Sequence, residues 1–285
     1  MTQTLGARRA AVSVDELKRA WSAVQAGRFR TGNGVIRELR EPAPPPAGTE
    51  WEPSPGERVL PVIGCVGSCG ASTMALAVAL AGAAGFPARV VECSSLTASG
   101  LVAASTAELG LHESGWTRGT RDSVLLERSS SVLVSIAEVP TPSVPDRNIG
   151  LTVLDVGWEI GQVLTTPAWL GEQVRGADLV ILVSTATVPG LRRLEGALEL
   201  LAGTSACAAV MGPKPKKWPR PAKNSAGPRT RALEAAGRLV DVPADRALAI
   251  AGLDATPLPT PLLAAAATLL RLLAAGDTTM KGNTP

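Results

Sequence analysis

Apolar runs of four to six residues recur along this chain, separated by stretches in which apolar residues return every three or four positions. Residues 59–64, 89–93, 132–137, 151–156, 179–184, 206–211 and 239–242 read as strands. Several are apolar at every position, the pattern of strands covered on both faces in a parallel sheet. Between them, residues 72–84, 96–109, 168–174, 189–201 and 228–236 read as helices, and residues 258–275 as a final helix packed on the surface. Pro259, Pro261 and Arg271 interrupt that last apolar run, which excludes a membrane span there. The alternation predicts an α/β fold: doubly wound, with a mostly parallel sheet and helices on both faces.

Ahead of this region, Leu17, Trp21 and Val24 fall at helical spacing within residues 14–28, with Ser13 placed to cap the helix. Residues 40–55 are rich in proline, including Pro42, Pro44, Pro45, Pro46, Pro53 and Pro55, and read as a linker. The expected organisation is an N-terminal helical arm and linker over 1–57, a main domain over 58–275 and a flexible tail over 276–285. The tethered helix with Trp21 suits a protein partner, or equally a helix packed on the protein's own surface. With no tyrosine and two phenylalanines, packing falls to Ala, Val and Leu. The net charge of +3 is too small to mark a nucleic-acid protein by itself. Four cysteines without a secretory leader point to reduced thiols and a cytoplasmic location.

One stretch carries candidate chemistry. Residues 59–64 run into Gly64-Cys65-Val66-Gly67-Ser68-Cys69-Gly70-Ala71-Ser72-Thr73, which opens into the alanine-rich helix. A strand, a glycine-rich turn and a helix N-terminus are what a phosphate cradle needs, because converging N–H groups meet the positive end of the helix dipole. The phosphate-loop consensus places lysine after its last glycine, and Ala71 stands there instead. Gly67, Ser68, Cys69, Gly70, Ala71, Ser72 and Thr73 are therefore the candidate cofactor-binding residues, with an inherited tight turn as the alternative reading. Asp155, ending an apolar run, is the candidate metal-side acid together with the Ser72 hydroxyl; the alternative is a polar strand end. Cys65, Cys69 and Cys93 read as small core residues rather than metal ligands, given their loose spacing and a single histidine, His112. Lys214, Lys216, Lys217, Arg220, Lys223, Arg229 and Arg231 form a basic run with no acid among them, enclosing Trp218 and opened by prolines. It reads either as a contact for DNA or another acidic surface, with Trp218 available for stacking, or as a solvated loop.

Taken together, these stretches resemble the ParA/MinD family of deviant Walker-type P-loop ATPases, over roughly residues 58–273. The family loop K-G-G-x-G-K-[ST]-T is matched by Val66 through Thr73; its metal-site strand by Leu151-Thr152-Val153-Leu154-Asp155-Val156-Gly157; and its "ADLVLLV … sLRRa" segment by Ala177-Asp178-Leu179-Val180-Ile181-Leu182-Val183 followed by Pro189-Gly190-Leu191-Arg192-Arg193. Val240-Asp241-Val242-Pro243-Ala244-Asp245 is similar to the family's "vPyD" segment. Val66 and Ala71 replace both family lysines. Val91-Glu92-Cys93-Ser94-Ser95 lacks the expected switch Asp, and Met211-Gly212 replaces the usual Asn-Arg. A lysine-less loop of this kind is similar to atypical MinD-like proteins of the TadZ/CpaE type, from pilus-assembly and actinobacterial mobile-element systems.

The resemblance implies ATP or ADP with Mg²⁺ as the cofactor, a homodimer, and a role in plasmid or mobile-element maintenance, conjugation or secretion. Without its lysines the site is expected to be degenerate and the protein a non-catalytic or weakly catalytic scaffold, since phosphoryl transfer depends on such charges. Two other readings stand beside it. One is an active ATPase whose missing lysine is supplied in trans; the other is a DNA-binding accessory protein using the basic loop at 214–231.

Overall fold

Strand β1 (Arg58–Gly64) lies inside the sheet, between β6 (Leu151–Asp155) and β7 (Val180–Thr185), and pairs parallel with both. The computed structural model describes residues 50–129 and 131–280, so the arm expected at 14–28 falls outside the described residues. The other strands are β2 (Ala88–Glu92), β3 (Ala107–Leu111), β4 (Trp116–Arg121), β5 (Val124–Ser129), β8 (Ala206–Met211) and β9 (Leu239–Val242). They form one nine-stranded sheet in the order β3-β4-β5-β2-β6-β1-β7-β8-β9. Pairing is parallel from β5 to β9 across the sheet, and only β4 runs antiparallel to its neighbours.

Alternate residues of the parallel strands enter two separate cores, as full burial on both faces requires. Leu60, Val62, Val90, Leu151, Val153, Ile181 and Val183 face a core built with helices α1 (Ala71–Gly82) and α8 (Thr260–Met280). Ile63, Val91, Leu154, Val180 and Leu182 face the other core. There they meet α2 (Ile160–Thr165), α3 (Trp169–Arg175) and α4 (Val188–Leu200), with Ala222 of α5 (Arg220–Ser225). Helix α6 (Pro228–Ala235) precedes β9, and α7 (Arg246–Ala251) precedes α8. Helix α1 is apolar nearly all round because the sheet and α8 enclose it. At its end Gly82 crosses β6 so closely that a Cβ there would lie 2.5 Å from Leu151 Cδ2.

The strand and helix pattern read from the sequence is recovered except in one region. Residues 96–109 do not form a helix: one 3₁₀ turn (Leu96–Ala98) is followed by an irregular stretch and then β3. Glu92 accepts from the backbone N–H groups of Gly100 and Leu101, which are then unavailable to a helical ladder. Residues 132–137 are not a strand either. Leu133 and Ile136 are buried while Val132 and Val134 are exposed, a spacing of three rather than two, and Ser135 caps the 3₁₀ turn Ile136–Glu138. The strands that do occupy this part of the chain are β4 and β5. The two residues joining them are Asp122 and Ser123, with Asp122 in the left-handed region at φ 51°.

A buried ion network ties this antiparallel unit to the parallel sheet. Arg89 Nη2 meets Glu57 Oε1 at 2.7 Å and Nη1 meets Glu127 Oε2 at 3.2 Å. Arg89 also donates to Thr152 Oγ1 at 2.7 Å and to the Ser143 carbonyl at 2.8 Å, beneath the Trp51 ring. Arg118 holds the other Glu127 oxygen at 3.0 Å and reaches the exposed Asp146 at 3.1 Å. Burial alone would raise the Glu57 carboxyl. Hydrogen bonds from Thr152 and from the Ser54 N–H, with Arg89 beside it, hold it below the usual carboxylate range. Every buried carboxylate in this network therefore has a cation in contact, the condition under which such burial is tolerated.

Candidate nucleotide-binding site

The chain leaves β1 at Gly64 and enters α1 at Ala71, at the carboxyl edge of the sheet. Chain connections run to opposite faces on either side of β1, and open α/β sheets hold ligands in the crevice at such a switch point. Cys65 N–H bonds the Val183 carbonyl at 2.8 Å, tying the base of the loop to β7. Gly70 caps α1 at φ 85°, and Ser68 also adopts the left-handed region at φ 56°. Glycine is favoured at position 70 by its left-handed φ; a Cβ there would also meet the flexible end of Met211, at Cε, at 2.8 Å. Among the described residues, no hydrogen bond arises from the N–H of Gly67, Ser68, Gly70, Ser72 or Thr73. Gly67 and Ser68 are exposed at the tip. The loop thus has the backbone arrangement that could receive an anion, and Ala71 contributes no charge to it.

Cys69 points the other way. Its side chain is buried beneath the loop, and the thiol donates to the Val183 carbonyl at 3.2 Å. Burial pushes the Cys65 thiol up to about 12, with Cys69 close by adding to the rise. Cys93 is pushed well above its ordinary value by burial and by the acids Asp155, Glu92 and Glu127. These thiols stay protonated, and the described residues hold no group of three side chains able to bind a metal.

Register decides the acidic side of the site. Glu92 pairs with Asp155, and Asp155 with Val62, so both carboxylates lie on the α1 face beside Ser72 at the start of that helix. Asp155 has no exposed surface, and neither of its oxygens has a hydrogen-bond partner. Burial raises its carboxyl to about 7 and the Glu92 charge adds to the rise; the Ser72 hydroxyl pulls the other way from just outside bonding geometry. Ser94, next along from β2, also has a buried hydroxyl with no partner. It packs so closely on Gly157 that a Cβ there would fall 2.1 Å from Ser94 Cβ. An orphaned, fully buried carboxylate beside a hydroxyl fits a hard divalent cation, which takes oxygen ligands. Ser72 and Asp155, the candidates from local sequence order, come close together in the fold; Glu92 joins them through β2–β6 register, which no local motif carries.

The basic run is divided by the fold. Lys214, Lys216, Lys217, Arg220, Lys223 and Arg231 are exposed and have no ion-pair partner among the described residues. Arg229 instead pairs with Glu199 at 2.6 Å. Trp218 is buried and donates its indole N–H to the Pro213 carbonyl at 2.8 Å. Its ring belongs to the core and is not presented for stacking, which corrects the part expected of it from its polar, proline-rich surroundings.

No family model matches the chain, and no curated protein matches it in sequence. Solved structures do match in fold. A putative plasmid partition protein from Borrelia burgdorferi B31, bound to AMPPNP, superposes with a TM-score of 0.51 at 10% identity, covering 77% of this chain and 99% of that one. A chain of the MinC:MinD cell division protein complex from Aquifex aeolicus gives 0.49 at 14% identity over 76% and 96%. The apo McdA of Cyanthece gives 0.48 at 11% over 76% and 99%. At these identities the likeness is one of fold, and it is carried by the Borrelia protein.

The state of Asp155 has a consequence for stability. Its folded carboxyl lies near 7 against 3.8 for the ordinary group, so the native state binds the extra proton. Stability from this group is complete at low pH and is lost as pH rises through about 4 to 7. In urea unfolding with chelator present, Asp155→Asn is expected to stabilise the protein at pH 8 by on the order of 4 kcal/mol and to change little at pH 4. An equal effect at both pH values would contradict the buried, unpartnered carboxylate.

Proposed function

We propose that this chain is an organiser of plasmid or mobile-element maintenance, conjugation or secretion, built on a ParA/MinD-like domain with a degenerate nucleotide site. The observation that carries the reading is a glycine-rich turn with unbonded backbone N–H groups at the start of α1, beside an orphaned Asp155 and with Ala71 where the lysine would stand. The fold likeness to a partition protein that holds AMPPNP supports it. In this reading the N–H groups of Gly67, Ser68, Gly70, Ser72 and Thr73 surround the phosphates of ATP or ADP. The Ser72 hydroxyl and Asp155 would hold Mg²⁺, which supplies the positive charge the loop lacks. Positioning without a lysine leaves little electrostatic stabilisation for a transferring phosphoryl group. Nucleotide would therefore act as a ligand that selects a conformation or a homodimer, and the N-terminal helix expected at 14–28 would carry the contact to a protein partner.

Purified protein is expected to hydrolyse ATP at background rate. Ala71→Lys should tighten Mg-nucleotide binding about tenfold or more, the worth of one charge-assisted hydrogen bond, while turnover stays near background. Strong wild-type ATPase activity, abolished by Asp155→Ala, would overturn the degenerate-site reading.

A second reading, contact with DNA or another acidic surface, is favoured by the exposure of six basic residues that have no ion-pair partner among the described residues. Replacing Lys214, Lys216, Lys217 and Lys223 by Glu should abolish such binding. Wild-type binding should fall steeply with added salt through counterion release. Gel shifts and vesicle sedimentation across a salt series decide this. No binding at low salt would reduce the loop to a solvated surface.

A further inference from the structure

The segment that replaces the expected helix, residues 95–104, lies against the metal side of the loop. Its hold there traces to Glu92, a buried carboxylate at the end of β2. The Ser99 hydroxyl donates to both Glu92 oxygens at 3.0 Å, and the N–H groups of Gly100 and Leu101 donate to Oε1 at 2.8 and 3.0 Å. This fixes Gly100 directly on Ser72: a Cβ at Gly100 would lie 2.6 Å from Ser72 Oγ and 2.7 Å from its Cβ. The Ser72 hydroxyl thus sits between the segment and Asp155, and Asp155 has no solvent-exposed surface. The far end is anchored separately. Leu101 and Ala104 are fully buried, and the Ala104 carbonyl accepts from Arg121, which also holds the Asp254 and Thr256 carbonyls.

We propose that residues 95–104 are a strap latched by Glu92, which must lift from Ser72 before a phosphate ligand and its divalent cation can reach Asp155. The ligand class rests on the nucleotide reading above; the latch rests on the hydrogen bonds alone. The bonds from Ser99, Gly100 and Leu101 all end on one carboxylate, so the near end of the strap is freed when Glu92 turns away, while Arg128 and Arg121 keep the Val102 and Ala104 carbonyls at its far end. Register places that carboxylate beside Asp155. A cation drawn toward Asp155 therefore also attracts Glu92 and loosens its grip on the amides, which couples ligand entry to strap opening. Gly100 is the one strap residue whose missing side chain permits the closed contact with Ser72.

Two variants test this by different routes. Glu92→Gln keeps the size of the latch and removes its charge; Gly100→Ala leaves the latch intact and pries the strap from Ser72. Hydrogen exchange of the peptide covering 96–104 should accelerate about tenfold or more in both, as loss of a charged hydrogen bond or a close contact predicts. Stopped-flow association of a fluorescent ADP analogue with Mg²⁺ should accelerate by a similar factor. Exchange unchanged from wild type in both variants would remove the latch whatever the nucleotide does. Faster exchange without faster association would show that the strap does not gate the site. Faster exchange with no binding of the analogue to any of the three proteins would overturn both the nucleotide reading and the gate's ligand, while leaving the latch in place.

Discussion

Parallel register places Glu92 and Asp155 side by side at the carboxyl edge of the sheet, and among the described residues no cationic side chain pairs with Asp155 there. Much of the architecture around the loop answers that constraint. One acid is satisfied by drawing in the hydroxyl and amides of residues 99–101, which abolishes the helix that would otherwise follow β2. The other acid remains buried and unbonded. Elsewhere the protein treats buried acids differently: Glu57 and Glu127 are each in direct contact with Arg89, and Glu127 with Arg118 as well. Uncompensated burial of a carboxylate is costly, and the group either protonates or takes a counterion. The contrast between these two regions of one sheet is what sets Asp155 apart, and the cation proposed to bind there would resolve it.

Most of the parallel scaffold was legible in the chain because its strands are buried on both faces and read as unbroken apolar runs. Residues 151–156, 179–184 and 206–211 are examples. Helices with clear termini were legible too, such as α4 with its Thr187 cap and Pro189 in the first turn. The antiparallel unit was not. Its strands mix Thr, Arg and Glu with apolar residues, and the charges of Arg118 and Glu127 read as surface when they are in fact buried against each other. Residues 96–109 have the composition of a helix, and only a long-range acceptor, Glu92, turns their amides elsewhere. Trp218 reads as exposed among lysines and prolines, whereas those prolines fold the ring back onto the core.

The candidate site divides in the same way. Its loop residues and Asp155 follow from local sequence order and lie where that order implies, at the start of α1 and the end of β6. What local order does not carry is the electrostatic balance: a cradle of backbone donors that invites anions, set against two acids that repel them. In the proposed reading polyphosphate shares this space with two carboxylates and no lysine in the loop. A divalent cation between them would relieve the repulsion that protonation of Asp155 relieves in its absence. Any divalent cation would thus be part of the binding surface itself rather than an accessory to it.

That dependence is measurable by titration calorimetry of ADP and ATP into the full chain with excess Mg²⁺ and again with chelator. The account predicts binding with Mg²⁺ and its loss without, with the metal requirement relaxed in Ala71→Lys. Equal affinity of wild type with and without divalent cation would contradict the claim that the metal supplies the site's positive charge.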